Sequence, residues 1–323
     1  MRTAVPLTVF ATALACSLAT TPVHARARVF VASYGNDANP CTFGSPCKTF
    51  QAAVNAVDAG GEVTAIDSAG FGPITITRAV TITSPDGVEA GIVATAGGNA
   101  ISISTGASDA VVLRGLTLDG GGVAFNGIVF NSGASLTVTD CVAQDFVTNG
   151  SFTTGNGILM QPTSGALSFV ITNTIVAHNG NVGLIYVPPS GSTGTANGVI
   201  DHVVATDNAF GMGINIAQNG GGSTTVAISN SIASNNSNTG IYAQNGAALA
   251  VSIDNTGASG NGNGIWAVGT PKVTLGRSVI TANSADGIRN DTSANTFFSY
   301  KDNRINENGT DITAALNYSL ALQ

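Results

Sequence analysis

Charge is what this sequence has least of. Only 11 of 323 residues are Lys or Arg and 18 are Asp or Glu, 9% in all, where a soluble domain carries about a quarter. No Lys or Arg lies between Arg114 and Lys272. With a net charge of -7, this argues against a nucleic-acid partner, because phosphate neutralisation needs clustered cations. Long apolar runs are missing too. None approaches the roughly 20 residues of a spanning helix, so no membrane span is expected. Tryptophan occurs once and cysteine four times. No nucleophile elbow, phosphate loop or Cys/His zinc spacing is present, and no metal set or cofactor is expected. Yet hydrophobic residues make up 43%, enough for a sizeable core and too many for a disordered chain.

Residues 1–27 read as an export signal. Arg2 gives the basic start, Leu7 to Thr20 a short apolar stretch, and Ala25-Arg26-Ala27 small residues where cleavage would fall. The mature protein is expected in the periplasm or outside the cell. In that oxidising setting Cys41 and Cys47, six apart in a Pro-rich turn, are expected to form a small-loop disulfide. Cys141 has no evident partner.

What the sequence has in abundance is repetition. A Gly-aliphatic pair recurs at Gly127-Ile128, Gly157-Ile158, Gly183-Leu184, Gly213-Ile214, Gly240-Ile241, Gly264-Ile265 and Gly287-Ile288, with gaps of 30, 26, 30, 27, 24 and 23 residues. Between the pairs lies a second unit, aliphatic-x-polar with Asn six residues on, which sets Asn179, Asn208, Asn236, Asn261, Asn283 and Asn308 in one column. Within each unit the apolar period is two, the signature of strands. Short strands in a repeat of this length specify an all-β parallel solenoid whose turns stack at about 4.8 Å and bury their apolar residues only together. The Asn column fits turn positions, where Asn tolerates left-handed backbone and its amides can hydrogen-bond up the stack. The chain divides into a strand, Cys turn and short helix over 28–61, the solenoid over 62–309, and a covering tail over 310–323. In the first part Ser45-Pro46 reads as a helix start, and Phe50, Val54 and Val57 share a face that would cap the open end.

The head from Val31 to Cys41, the segments Pro46-Cys47-Lys48-Thr49-Phe50 and Phe71-Gly72-Pro73-Ile74-Thr75-Ile76, and the tail Tyr300 to Asn306 together resemble the bacterial right-handed parallel β-helix proteins of the pectin lyase-like superfamily. The resemblance covers the mature chain. It implies a single-stranded right-handed parallel β-helix with a short N-terminal capping helix. It leaves the activity open, since that superfamily mixes lyases, hydrolases, esterases, epimerases and adhesins. The hydrolase signatures Asn-Thr-Asp, Asp-Asp, Gly-His-Gly and Arg-Ile-Lys are absent. The nearest segments are Ala177-His178-Asn179 and Asp201-His202-Val203. A calcium-dependent lyase would need clustered acids and a basic residue. Calcium at Asp37 would rest on one carboxylate, and the central turns hold no cation to meet a polyuronate.

Two surfaces follow from the alignment of turns. Asp145, His178 and Asp207 fall in one column, an Asp–His–Asp arrangement able to tune a histidine as general base. The residue after each Gly-aliphatic pair points outward, giving the stripe Val129, Leu159, Ile185, Asn215, Tyr242, Trp266, Arg289. Tyr242, Trp266 and Arg289, with Asn215, Gln244 and Asp291 nearby, suit a neutral sugar. The loops after this strand vary most in length, while the return to the next Gly-aliphatic pair reads as nearly constant. The function these residues favour is an exported protein that binds or processes a polysaccharide or cell-surface glycan along its flank. The alternatives are a non-catalytic surface or matrix protein and, third, a calcium-dependent lyase.

Overall fold

The computed structural model describes residues 27–246, 248–293 and 296–317. The export segment expected at 1–27 therefore lies outside the described residues, save Ala27, as do residues 318–323 of the tail. The described chain is a parallel β-solenoid of three sheets with 11, 10 and 10 strands. Each turn contributes one strand to each sheet, and each strand pairs in parallel with its equivalents one turn away, as in Ile171↔Ile200, Ile158↔Leu184 and Val176↔Ala205. The first sheet holds the aliphatic-x-polar strands, the second the Gly-aliphatic strands, and the third a series of short strands between them.

One turn explains the rest. Strand Thr224–Ser229 of the first sheet alternates buried and exposed residues. Asn230 then takes φ 49° and turns the chain. Ser231 is buried, and its hydroxyl donates to the Ser229 carbonyl at 2.7 Å. Strand Ile232–Ser234 crosses the third sheet, and Asn235, at φ 54°, makes the second corner. Asn236 points inward, and strand Thr239–Asn245 runs through the second sheet. The same left-handed corners fall on Asp140, Asn173, His202, Asn255 and Arg277, and on Asp145, His178, Asp207, Ala282 and Glu307. Asn and Asp are the side chains that adopt this conformation at least cost. Cys141 occupies the place that Ser231 fills here. It is buried, its thiol donates to the Thr139 carbonyl at 3.2 Å, and burial pushes it up to about 11. It is a hydroxyl substitute in a corner and an unreactive thiol.

The inward asparagines form a continuous ladder. Nδ2 of Asn179, Asn208, Asn236, Asn261 and Asn283 each donates to Oδ1 of the next, at 3.1, 2.8, 3.0, 3.1 and 2.8 Å. The second Nδ2 proton goes to a carbonyl of the turn before, Ala205 in the case of Asn236. The ladder accounts for the Gly of the Gly-aliphatic pair. A Cβ on Gly240 would lie 2.7 Å from the Gly264 carbonyl oxygen and 2.8 Å from Asn261 Nδ2, so no side chain fits beside the ladder.

Apolar residues from all three sheets form one core along the axis, from Val29 to Leu316. Helix Phe50–Ala56 joins it through Phe50, Ala53 and Val54, with Phe50 against Phe71. It starts later than the Ser45-Pro46 pair suggests. Cys47 is bonded to Cys41 and bridged to Val31, which keeps that segment extended, and Thr49 caps the helix by accepting from Ala52 N at 3.2 Å. Asp37 accepts from Lys48 N and Thr49 N, both at 2.8 Å, so its carboxylate is engaged in fastening this loop. No described helix is long and apolar enough to cross a membrane.

Candidate functional site

The register places Asp145, His178 and Asp207 on successive turns, each just beyond the paired strands of the third sheet. All three are left-handed corner residues. Asp145 is half-buried; His178 and Asp207 are exposed. Asp145 and His178 share a hollow of about 340 Å³ with Asp119, Phe146 and Val147, which Asp207 does not line. Asp207 accepts instead from the Thr206 hydroxyl at 2.7 Å. Among the described residues, no hydrogen bond or ion pair joins His178 to a carboxylate. The histidine that meets one is His202, whose Nδ1 lies 2.6 Å from Asp201 Oδ2 at the other corner. Asp201 Oδ1 also accepts from the Ser229 hydroxyl and Asn230 Nδ2, both at 2.7 Å.

The Ser229 hydroxyl, followed by His202, holds the Asp201 carboxyl below the usual carboxylate range. A lowered folded pKa stabilises the fold above the unfolded value of about 3.9, and that contribution is lost only as pH falls through the lower folded value. The difference in melting temperature between the wild type and Asp201→Asn should therefore persist down to about pH 4 and close in stronger acid. Melting curves from pH 2 to 7 test this. A difference that has vanished by pH 5 would remove the account.

The second-sheet stripe is in register throughout: Ile185↔Asn215, Asn215↔Tyr242, Tyr242↔Trp266, Trp266↔Arg289. Strand alternation points these side chains away from the axis, yet most are covered. Val129, Leu159, Ile185 and Tyr242 join Val182 and Met212, from the segments entering this sheet, in a second apolar cluster. Burial raises the Tyr242 hydroxyl above its ordinary pKa. Trp266 lies between Tyr242, ring centroids 4.7 Å apart, and the Arg289 guanidinium, 4.3 Å from its centroid. Its two faces are thereby taken. Asp291 Oδ2 accepts from Trp266 Nε1 at 3.0 Å and Arg289 Nε at 2.8 Å. This end of the stripe is thus closed on itself. Its open part is a hollow of about 330 Å³ lined by Phe152, Ile185, Val187, Met212, Asn215, Asn219, Tyr242 and Gln244. Gln244 Nε2 donates to Asn215 Oδ1 at 3.3 Å on its floor.

Phe152 was not legible as a site residue, and neither was Phe210. Phe152 sits in the segment 146–155, where the supposedly constant return to the next Gly-aliphatic pair lengthens. Thr148, Asn149, Ser151 and Thr154 knit that segment together, and Asn181 Nδ2 donates to the Thr154 carbonyl from the next turn at 3.2 Å. On this cross-linked support Phe152 is 71% exposed, and Phe210 is 77% exposed. Both line a further hollow of about 440 Å³ with Thr148, Gly150, Ser151 and Asn181. Phe152 belongs to this hollow and to the Tyr242 hollow, and the segment continues back to Phe146 and Val147 at the Asp145–His178 hollow. The two surfaces expected separately are linked by one loop.

No family model and no curated protein matches the sequence. Solved structures match its shape. Pectate lyase Pel9A aligns at 19% identity with a TM-score of 0.50, over 92% of this chain and 78% of that one. The A-module of the Azotobacter vinelandii mannuronan C-5 epimerase AlgE6 aligns at 14% identity with a TM-score of 0.49, over 81% of this chain and 89% of that one. At such identity the likeness is one of fold. The all-β parallel solenoid expected from the sequence is the fold observed.

Proposed function

We propose that this chain is an exported polysaccharide-binding β-helix protein that holds a neutral glycan between the Phe152–Phe210 hollow and the floor of Asn215, Tyr242 and Gln244. The fold is read as right-handed, with helix Phe50–Ala56 capping its first turn. The observation that carries the reading is the pair of exposed phenylalanines beside a cross-linked loop. A soluble protein seldom leaves aromatic faces open around a hollow unless something packs there, and a prefastened support spares the ordering cost of binding. Asn215 and Gln244 supply the few placed polar groups that orient a sugar. Trp266, Arg289 and Asp291 form the closed wall of the site. The absence of Lys and Arg along these turns favours a neutral chain over the polyuronates that the structural neighbours' names indicate for them.

Processing, if it accompanies binding, falls to Asp145 and His178, which share the hollow at the far end of the loop; Asp207 lies one turn beyond. Where no turnover exists, the same surface serves a matrix or cell-surface protein. Glycan-array binding and reducing-sugar release, measured for the wild type, Phe152→Ala and His178→Ala, test the reading. Phe152→Ala should weaken binding about tenfold or more, equivalent to about 1.4 kcal/mol. His178→Ala should leave binding intact and abolish any release. Unchanged binding in Phe152→Ala would overturn the assignment of the groove.

A further inference from the structure

The hollow at Tyr242 is built from two kinds of group. One is apolar: Ile185 and Met212 are 1 and 8% exposed, and Phe152 joins them as an open aromatic. The other is amide, from Asn215, Gln244 and Asn219. Among the described residues, no charged side chain lines it, and its one hydroxyl belongs to Tyr242. The amides are incompletely matched. Gln244 Nε2 gives one proton to Asn215 Oδ1, and its second proton and its Oε1 have no partner among the described residues. Asn215 is 3% exposed. Its Nδ2 gives one proton to the Met212 sulfur at 3.7 Å, which is a weak acceptor, and the other proton meets no acceptor among the described residues. Asn219 Oδ1 accepts from Asn245 Nδ2 at 2.6 Å. A buried donor left without an acceptor is rare and unfavourable, so Asn215 marks a place in this hollow where an oxygen is wanted.

We propose that this hollow takes the acetamido group of a 2-acetamido sugar within the neutral glycan assigned to the groove, an inference that rests on that assignment. An acetamido group joins a methyl to a planar amide with one C=O acceptor and one N–H donor. Its methyl meets Ile185 and Met212, whose unbranched thioether side chain adapts to irregular shapes. Its carbonyl accepts the unmatched protons of Asn215 and Gln244, and its N–H donates to Gln244 Oε1. Other substituents fit one half of the lining only. A C2 hydroxyl sets a polar group against the apolar floor. A 6-deoxy sugar brings a methyl and leaves the amides unmatched. A 2-ammonium sugar or a uronate brings a charge into a lining that holds no counter-charge. Gln244 is therefore the residue that selects the C2 substituent, with its amide anchored by Asn215. The sugar ring lies toward Phe152, which this hollow shares with the one lined by Phe210. A matched methyl in an apolar pocket discriminates by about 10- to 200-fold, so a preference of at least tenfold is expected.

Binding of the full mature chain to a glycan array tests the proposal, each backbone being present with hydroxyl, acetamido and ammonium at C2 and beside its 6-deoxy counterpart. The wild type should bind the acetamido members at least tenfold more tightly than the others of the same backbone. Gln244→Leu, which keeps the size and removes the amide, should bring acetamido binding down to the hydroxyl level and leave hydroxyl binding nearly unchanged. Gln244→Glu should lower acetamido binding and raise ammonium binding, since a carboxylate cannot donate to the carbonyl and pairs with a cation. The wild-type profile stands by itself should either variant fail to fold. Equal binding across the C2 substituents, a preference for the 6-deoxy members, or an acetamido preference that survives Gln244→Leu would each overturn the acetamido assignment. If binding is nonetheless weakened by Phe152→Ala, the groove itself stands. Binding that Phe152→Ala leaves unchanged, or no binding to any member, would remove both.

Discussion

Asn236→Ala is expected to cost about 2–6 kcal/mol of folding free energy, from the roughly 1–3 kcal/mol attached to each buried donor left without an acceptor. Asn236 is 1% exposed. Its Oδ1 accepts from both Nδ2 and backbone N of Asn208, and its own Nδ2 bridges Asn261 Oδ1 and the Ala205 carbonyl. Alanine removes the acceptor for two buried donors, and the space is enclosed by the neighbouring turns. The effect should far exceed that of Asn235→Gly, one residue away. Asn235 is an exposed left-handed corner, and the next turn already carries Gly260 there at φ 68°, so that change should stay within about 0.5 kcal/mol. Urea unfolding of both variants makes the comparison. Equal midpoints would mean that the ladder contributes nothing beyond its turn geometry.

Gly240→Ala is expected to cost about 3 kcal/mol, the upper range for an added methyl in a packed interior. Here the methyl meets the Gly264 backbone carbonyl on one side and, on the other, the Asn261 side-chain Nδ2 that the ladder holds in place. Neither can retreat without pulling two turns apart. Gly221→Ala is the matched control, with nothing within 4 Å of the added carbon. It should be neutral or gain a few tenths of a kcal/mol by restricting the unfolded chain. Melting temperatures of the two variants decide the matter, and a Gly240→Ala protein as stable as the wild type would show that the turns slide more freely than their packing implies.

The stacking order was legible because a parallel in-register solenoid turns sequence spacing directly into vertical adjacency. The Asn column and the Tyr242–Trp266 neighbours follow from counting alone. Exposure was not legible. Alternation says which side of a strand Ile185 occupies, and nothing about Met212 and Val182 folding over that side. Trp266 has the right register for a sugar platform, but Tyr242 and Arg289 cover its faces, and only side-chain geometry reveals that. The partner of a histidine is likewise a matter of rotamer. His178 stands between two aspartates in the column and bonds neither, while His202 reaches the residue beside it. Phe152 was hidden because its loop breaks the repeat, and a reading based on periodicity is blind where the period fails. The later start of the helix has the same origin, a bridge between Cys47 and Val31 that no local propensity records.

The corners confer one further property. Since each turn from Asn173 to Asn308 changes direction at two left-handed residues and closes against the same inward asparagine, the cross-section there is fixed while the number of storeys is free. Excising residues 240–263 would bring Asn236 directly onto Asn283 and shorten the molecule by about 4.8 Å, with every other layer keeping its partners in kind. Gene duplication or deletion in whole units can therefore retune the reach of this protein without redesigning its interior.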